Sequence, residues 1–252
     1  MADPLLSVEQ VSKRFGGLLA LDRVSFTAAP RRITALIGPN GAGKTTLFSI
    51  VAGYLPASEG SIVFDGADIK GELSYRLARR GIARTFQIAQ PFAGLTVREN
   101  IAVGAYLFRP ARRDALAAAG DIAREVGLAD LLDRPAATLT VAGRKRLELA
   151  RALAIRPRLL LLDEVLAGLN PSEIRDVVPV IRTIRSRGVT IVMIEHVMQA
   201  VMHLAERIFV LSEGRVIAEG PPEAIVADPL VVEAYLGRRA ANRMIAAGSA
   251  HA

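Results

Sequence analysis

Apolar positions along the chain follow two different periods. Near the start, Leu6, Val8 and Val11 are followed by Val24-Ser25-Phe26, so short strands are predicted with a turn at Phe15-Gly16-Gly17 between them. The unbroken run Ile33-Thr34-Ala35-Leu36-Ile37 predicts a buried strand, leading into a glycine-rich loop and a helix from about Lys44 to Val51. From about Gln87 to Pro157 strand signals thin out. There Leu116, Ala119, Ile122, Ala123 and Val126 recur at helical spacing, and a helical lobe inserted over about 88–157 is expected. Strand-like runs return at Arg158–Leu162, Val189–Ile194 and Ile208–Leu211, with helices alternating between them. One helix has a clean start at Asn170-Pro171-Ser172-Glu173: asparagine caps, proline suits the first position, and glutamate closes a capping box. Pro179 is expected to kink it. A last short helix starts at Asp228-Pro229 and stops at Gly237, so the domain is read as 1–237, and the alanine- and arginine-rich 238–252 is expected to be a loosely held tail.

The 252 residues are 51% hydrophobic and 23% charged, enough to bury a sizeable core, which excludes disorder as the main state. There is no cysteine, hence no disulfide framework, thiolate metal site or thiol nucleophile; the three histidines, His196, His203 and His251, are too scattered to suggest zinc. No run of about 18 apolar residues occurs, and Met1-Ala2-Asp3-Pro4 has no basic segment leading into an apolar one, so the chain reads as cytosolic, neither secreted nor membrane-spanning. The net charge of +7 raises the question of nucleic acid. Basic residues are instead spread from Arg14 to Arg243 without an aromatic-rich stretch for base stacking, so no nucleic acid is expected, and an anionic membrane surface explains the charge as well.

The sharpest chemical signal is Gly38-Pro39-Asn40-Gly41-Ala42-Gly43-Lys44-Thr45, a complete G-x-x-x-x-G-K-T phosphate loop between strand and helix. Its glycines let backbone N–H groups turn toward a β-phosphate, Lys44 reaches the β- and γ-phosphates, the Thr45 hydroxyl takes magnesium, and Thr46 adds a hydroxyl toward the α-phosphate. Downstream, Leu159 to Leu162 ends in Asp163-Glu164, two carboxylates at the C-terminal end of a strand, where ligands of open parallel sheets bind. Asp163 suits magnesium, directly or through water, and Glu164 suits polarisation of the attacking water. Gln87 stands where the strand-rich part hands over to the helical lobe, in reach of magnesium and the nucleophilic water. His196 follows the strand Thr190–Ile194 and Glu195, beside Glu164, with a γ-phosphate oxygen as its natural partner. Phe15 offers a ring for adenine.

In this order the residues resemble the ATP-binding subunits of ABC transporters. The resemblance extends to about Gly237 and implies an α/β P-loop NTPase fold with a mixed sheet core, an N-terminal antiparallel β part and an inserted helical lobe. It implies ATP and Mg2+ as ligands, adenine stacking on Phe15, phosphates on Gly38 to Thr45, and Glu164 as catalytic base. It makes His196 the switch histidine, Ala167-Gly168-Leu169-Asn170 the D-loop, and Gln87 a link between magnesium and the membrane subunits. Arg84-Thr85-Phe86-Gln87, Gly168-Leu169-Asn170-Pro171, Ile194-Glu195-His196-Val197-Met198 and Ala234-Tyr235-Leu236-Gly237 look like the ATPases that serve bacterial uptake of branched-chain and other hydrophobic amino acids or amides. Implied partners are a second ATPase subunit in a head-to-tail dimer, two membrane permease subunits and, indirectly, an external solute-binding protein. The implied location is the cytoplasmic face of the bacterial inner membrane. The ATPase of lipopolysaccharide export has a similar ending and is the alternative within the family.

One element departs from the pattern. The signature, usually Leu-Ser-Gly-Gly-Gln, falls on Leu139-Thr140-Val141-Ala142-Gly143: Thr140 keeps a hydroxyl, Ala142 and Gly143 keep their N–H groups at a helix start, and the glutamine amide is gone. Because the signature of one chain completes the ATP site of the other in this family, pairing with a different ATPase subunit is expected, with one stronger and one weaker site. Readings from other classes are a small-molecule kinase and a non-transport ABC ATPase acting on nucleic acid or ribosomes. The first would need an acceptor pocket and a basic lid, and the second usually has coiled-coil insertions or two fused nucleotide domains; neither pattern is seen here.

Overall fold

The computed structural model describes residues 3–86 and 90–236. Strands β1 (Leu6–Phe15) and β2 (Leu18–Ala28) form an antiparallel hairpin around Gly16-Gly17. β3 (Ile33–Ile37) and α1 (Lys44–Val51) come next, with the bounds their apolar pattern predicts. After them come β4 (Glu59–Phe64), β5 (Ala67–Asp68), α2 (Ser74–Arg80) and β6 (Ile82–Arg84), none of which the sequence pattern singles out.

Helices α3 (Val97–Ala105), α4 (Arg112–Glu125) and α5 (Val141–Ala154) occupy the stretch where helical spacing dominates. α3 starts from a capping box, with the Thr96 hydroxyl accepting from the Glu99 N–H and the Glu99 carboxylate accepting from the Thr96 N–H. The remaining elements are β7 (Leu159–Asp163), α6 (Pro171–Ser186), β8 (Thr190–Ile194), α7 (Met198–Leu204), β9 (Arg207–Ser212), β10 (Arg215–Gly220), α8 (Pro222–Ala227) and α9 (Pro229–Leu236). Asn170 and Glu173 form the expected capping box on α6, which continues as one helix across Pro179.

Two sheets result. A four-stranded antiparallel sheet has the order β2-β1-β4-β5, and a six-stranded mixed sheet has the order β10-β9-β3-β8-β7-β6, antiparallel only at its β10 edge. Every residue of β3, β7 and β8 is buried, as continuous apolar runs require when both sheet faces are covered. Alternate residues feed two cores. Leu160, Leu162, Ile191 and Met193 pack with the helices of the lobe and with α6 and α7, while Leu159, Leu161, Val192 and Ile194 pack with α1 and the antiparallel sheet. The central strands are thereby fixed from both sides, and their C-terminal ends emerge side by side.

Candidate functional site

The loop from Gly38 to Gly43 joins β3 to α1, and its glycines are dictated by contact. Gly38 has φ +146°, and a Cβ there would lie 1.9 Å from the Leu211 carbonyl oxygen. Gly43, at φ +99°, is the cap residue of α1 and supplies no side-chain cap, so no cap side chain competes with an anion for the first-turn N–H groups of the helix. Lys44 is folded back over the loop, its Nζ donating to the Gly38 carbonyl at 2.7 Å and the Pro39 carbonyl at 2.9 Å. Burial pulls the Lys44 pKa below its ordinary value, opposed by the charges of Glu164 and Asp163.

On the facing strands, Asp163 pairs in register with Ile194, and the Glu164 N–H donates to the Ile194 carbonyl at 2.9 Å. Glu164 takes φ +50°, a left-handed turn that swings its carboxylate off the strand line. Its Oε1 lies 2.8 Å from His196 Nε2, so the two residues meet as the sequence reading expects. Asp163 is held differently. One carboxylate oxygen, Oδ2, pairs with Arg84 Nη2 at 2.7 Å, with side chains only 1% and 6% exposed, while Oδ1 is buried without a hydrogen-bond partner. Arg84 also donates to Ser49 Oγ at 2.9 Å and lies near the Tyr54 and Phe86 rings. Its part in holding Asp163 was missed in the sequence; only its place in a short strand, two residues from Phe86, hints at it.

A cavity of about 720 Å³ opens between these groups, and it brings together Phe15, Asn40, Gly41, Ala42, Gly43, Lys44, Thr45, Thr46, Glu164 and His196. The Phe15 ring is 45% exposed there, with Lys13 Nζ 5.0 Å from its centroid. Leu18, Leu19, Ala20, Glu213 and Gly214 complete the wall and were not foreseen. Gly38 and Pro39 support the loop without lining that cavity, and Asp163 lies behind it. Thr140, Ala142 and Gly143 also stand away from it, at the start of α5, where the Thr140 hydroxyl caps the helix by accepting from the Gly143 N–H at 3.1 Å. Gln87 lies outside the described residues.

Among the described residues no cluster of three or more histidine, cysteine or carboxylate side chains stands ready for a metal. Among the described residues, the Thr45 hydroxyl on the cavity wall and the Asp163 carboxylate, whose Oδ1 is buried without a hydrogen-bond partner, fit the oxygen donor set that a hard divalent ion takes together with phosphate oxygens.

The family profile described as "ABC transporter" matches residues 21–167. The chain is 39% identical to the high-affinity branched-chain amino acid transport ATP-binding protein BraF of Pseudomonas aeruginosa, across 94% of this chain and 99% of that one. It belongs to the ATP-binding subunits of ABC transporters. Against the LivG protein of the same description from Escherichia coli K12, identity is 38% over the same shares of both chains. A second profile, "Branched-chain amino acid ATP-binding cassette transporter", matches residues 215–241. Among solved structures, a nucleotide-free ATP-binding cassette from an ABC transporter superposes with a TM-score of 0.86 at 32% identity, covering 94% of this chain and all of that one. An ATP-binding cassette in its ADP conformation gives 0.85, also at 32% identity and with the same shares of the two chains covered. The domain is a nucleotide-binding ATPase of the α/β P-loop class. No described helix is long and apolar enough to cross a membrane.

Proposed function

We propose that this chain hydrolyses ATP to power import of branched-chain or other hydrophobic amino acids or amides across a bacterial inner membrane, working from its cytoplasmic face. The similarity to BraF and LivG and the match over 215–241 support the substrate class. In this reading adenine stacks on Phe15, and the backbone from Gly38 to Gly43 cradles the phosphates. Lys44 exchanges the Gly38 and Pro39 carbonyls for β- and γ-phosphate oxygens. Thr45 and Thr46 turn their hydroxyls to the triphosphate. Thr45, Asp163 and Gln87 hold Mg2+, which supplies charge neutralisation on the phosphate oxygens.

The observation that carries the chemistry is the 2.8 Å contact between Glu164 and His196 on the cavity wall that also holds Lys44. Glu164 accepts a proton from the attacking water as it approaches the γ-phosphorus, and the His196 Nε2–H that meets the carboxylate in the cavity is the donor that a γ-phosphate oxygen would take over. A phosphoryl transition state gains from such positioning because little covalent work falls to the protein.

The second half of each site comes from a second ATPase subunit, whose signature closes over this nucleotide while Thr140, Ala142 and Gly143 face the partner's. Because this chain's signature lacks the glutamine amide of the usual pattern, it offers the partner's phosphates a weaker half-site, and a different ATPase chain is the expected partner. Two permease subunits bind the pair, and an external binding protein delivers the solute. The test is Glu164→Gln in the assembled transporter: ATP binding is retained and most turnover and leucine uptake are lost. Unimpaired turnover would overturn the assignment of the base.

A further inference from the structure

The left-handed turn at Glu164 is an unfavourable conformation for a residue with a side chain, and it persists only where its surroundings over-determine it. Two buried ionisable side chains outside the reactions described so far hold this turn. Lys145, on α5 and 7% exposed, donates from Nζ to the Glu164 carbonyl oxygen at 2.9 Å. Glu195, at the end of β8 and 1% exposed, accepts through Oε1 from the Leu166 N–H at 2.8 Å. The ammonium thus holds a carbonyl at the start of the turn, and the carboxylate holds an amide two residues later. The two side chains also attract one another electrostatically, and Glu195 stands next in the chain to His196, which bonds the Glu164 carboxylate.

Ionisable side chains this deeply buried are expensive to keep, and a surface loop would not need them. We propose that Lys145 and Glu195 are positioning residues for ATP hydrolysis: together they lock the Glu164–Leu166 turn so that the Glu164 carboxylate points into the cavity beside His196. Lys145 lies five positions beyond Thr140 on α5, the same helix whose start carries the signature. The backbone of this chain's base is therefore tied to the helix that, on the proposed pairing, faces the partner's nucleotide, and a shift of α5 against the sheet reaches Glu164 through the Lys145 hydrogen bond. The inference rests on the reading of Glu164 as the base.

The experiment compares full-length variants in the assembled transporter, measuring kcat and KM for ATP, alongside equilibrium binding of trinitrophenyl-ATP. Misplacing a reacting group by a fraction of its working distance costs roughly tenfold to a hundredfold in rate. Lys145→Met is expected to lower kcat by about tenfold or more while trinitrophenyl-ATP binds as to the wild type. Lys145→Arg, which keeps a charged donor, restores most of that loss. Glu195→Met is expected to behave like Lys145→Met, with Glu195→Gln, which keeps an acceptor for Leu166, restoring most of its loss. Should Lys145→Met not fold, Lys145→Gln takes its place under the same criteria. An unchanged kcat, an equal fall in nucleotide affinity, or equal impairment of the methionine and arginine variants would overturn the proposal. Glu164→Gln in the same assembly separates the two ideas. If it retains turnover, the base assignment falls; if it loses turnover while Lys145→Met does not, only the positioning role falls.

Discussion

Replacing Glu195 by glutamine is expected to stabilise the protein at alkaline pH and to do nothing at acid pH. Burial pushes the Glu195 carboxyl up from 4.5 to about 7, against the pull of the Leu166 and His196 amides and the Lys145 charge. Between those two values the folded chain keeps a proton that the unfolded chain releases. Stability therefore falls as pH rises through that window and levels off above about pH 7, the opposite of a salt-bridged carboxylate. A rise of about 2.5 pH units, at about 1.36 kcal/mol each, sets the cost of ionised Glu195 at roughly 3 kcal/mol. Glutamine never ionises and keeps an acceptor for the Leu166 N–H, now made at 2.8 Å. Its NH2 group, in the place of the buried and partnerless Oε2, takes back about 1 kcal/mol as an unmatched donor. The net gain at pH 8 is then about 2 kcal/mol, a rise in Tm of roughly 4–8 °C for a domain of this size. Differential scanning calorimetry of wild type and variant at pH 5 and pH 8 reads it directly. A Tm difference of the same size at both pH values would refute the reasoning, because only ionisation distinguishes the two conditions.

Lys44→Ala removes the cation that bridges two loop carbonyls and awaits phosphate; loss of ATP binding or turnover by about 100-fold or more is expected, measured by isothermal titration and phosphate release. Arg84→Met leaves the Asp163 carboxylate buried without its cation, a loss of about 3–5 kcal/mol in urea unfolding, which adding Asp163→Asn largely reverses. Leu160→Ala, in the middle of a fully buried strand, is expected to cost about 2–5 kcal/mol in the same assay. The isolated chain at high concentration is expected to hydrolyse ATP far more slowly than the assembled transporter, and equal specific activity would count against a different partner subunit.

How far the sequence could be read follows from how each element is stabilised. β3, β7 and β8 are largely apolar runs because both of their faces are covered, so their positions were visible, to the residue for β3 and within one residue for β7 and β8, and with them the phosphate loop, Asp163-Glu164 and His196. The capping box at Asn170 was visible for the same local reason, since its partners lie within three residues. β6, by contrast, is only three residues long and exists through its pairing with β7, a contact made across the whole helical lobe. β10 is an edge strand with three half-buried residues in a row at its centre, so it carries no strong alternation. Pro179 was expected to kink α6; the helix accommodates it without a break. The Lys145 and Glu195 contacts were illegible for a physical reason: two charged residues fifty positions apart look like solvated surface until the fold turns both inward.

α5 explains why the unusual signature leaves this chain's own chemistry intact. Its departures, Val141, Ala142 and Gly143, all lie in the first turn of the helix, where Val141 is exposed and none of the three lines the cavity. The residues of the same helix that touch the sheet lie further along: Lys145 reaches the Glu164 carbonyl, and Glu148 accepts from the Phe86 N–H. On the proposed pairing, loss of the glutamine amide would therefore weaken only what the helix tip offers outward, to a nucleotide bound by another chain. Everything that prepares Glu164 for its own nucleotide stays in place. On the proposed head-to-tail pairing, a partner with an intact signature would therefore make the site on this chain's own phosphate loop the stronger of the two.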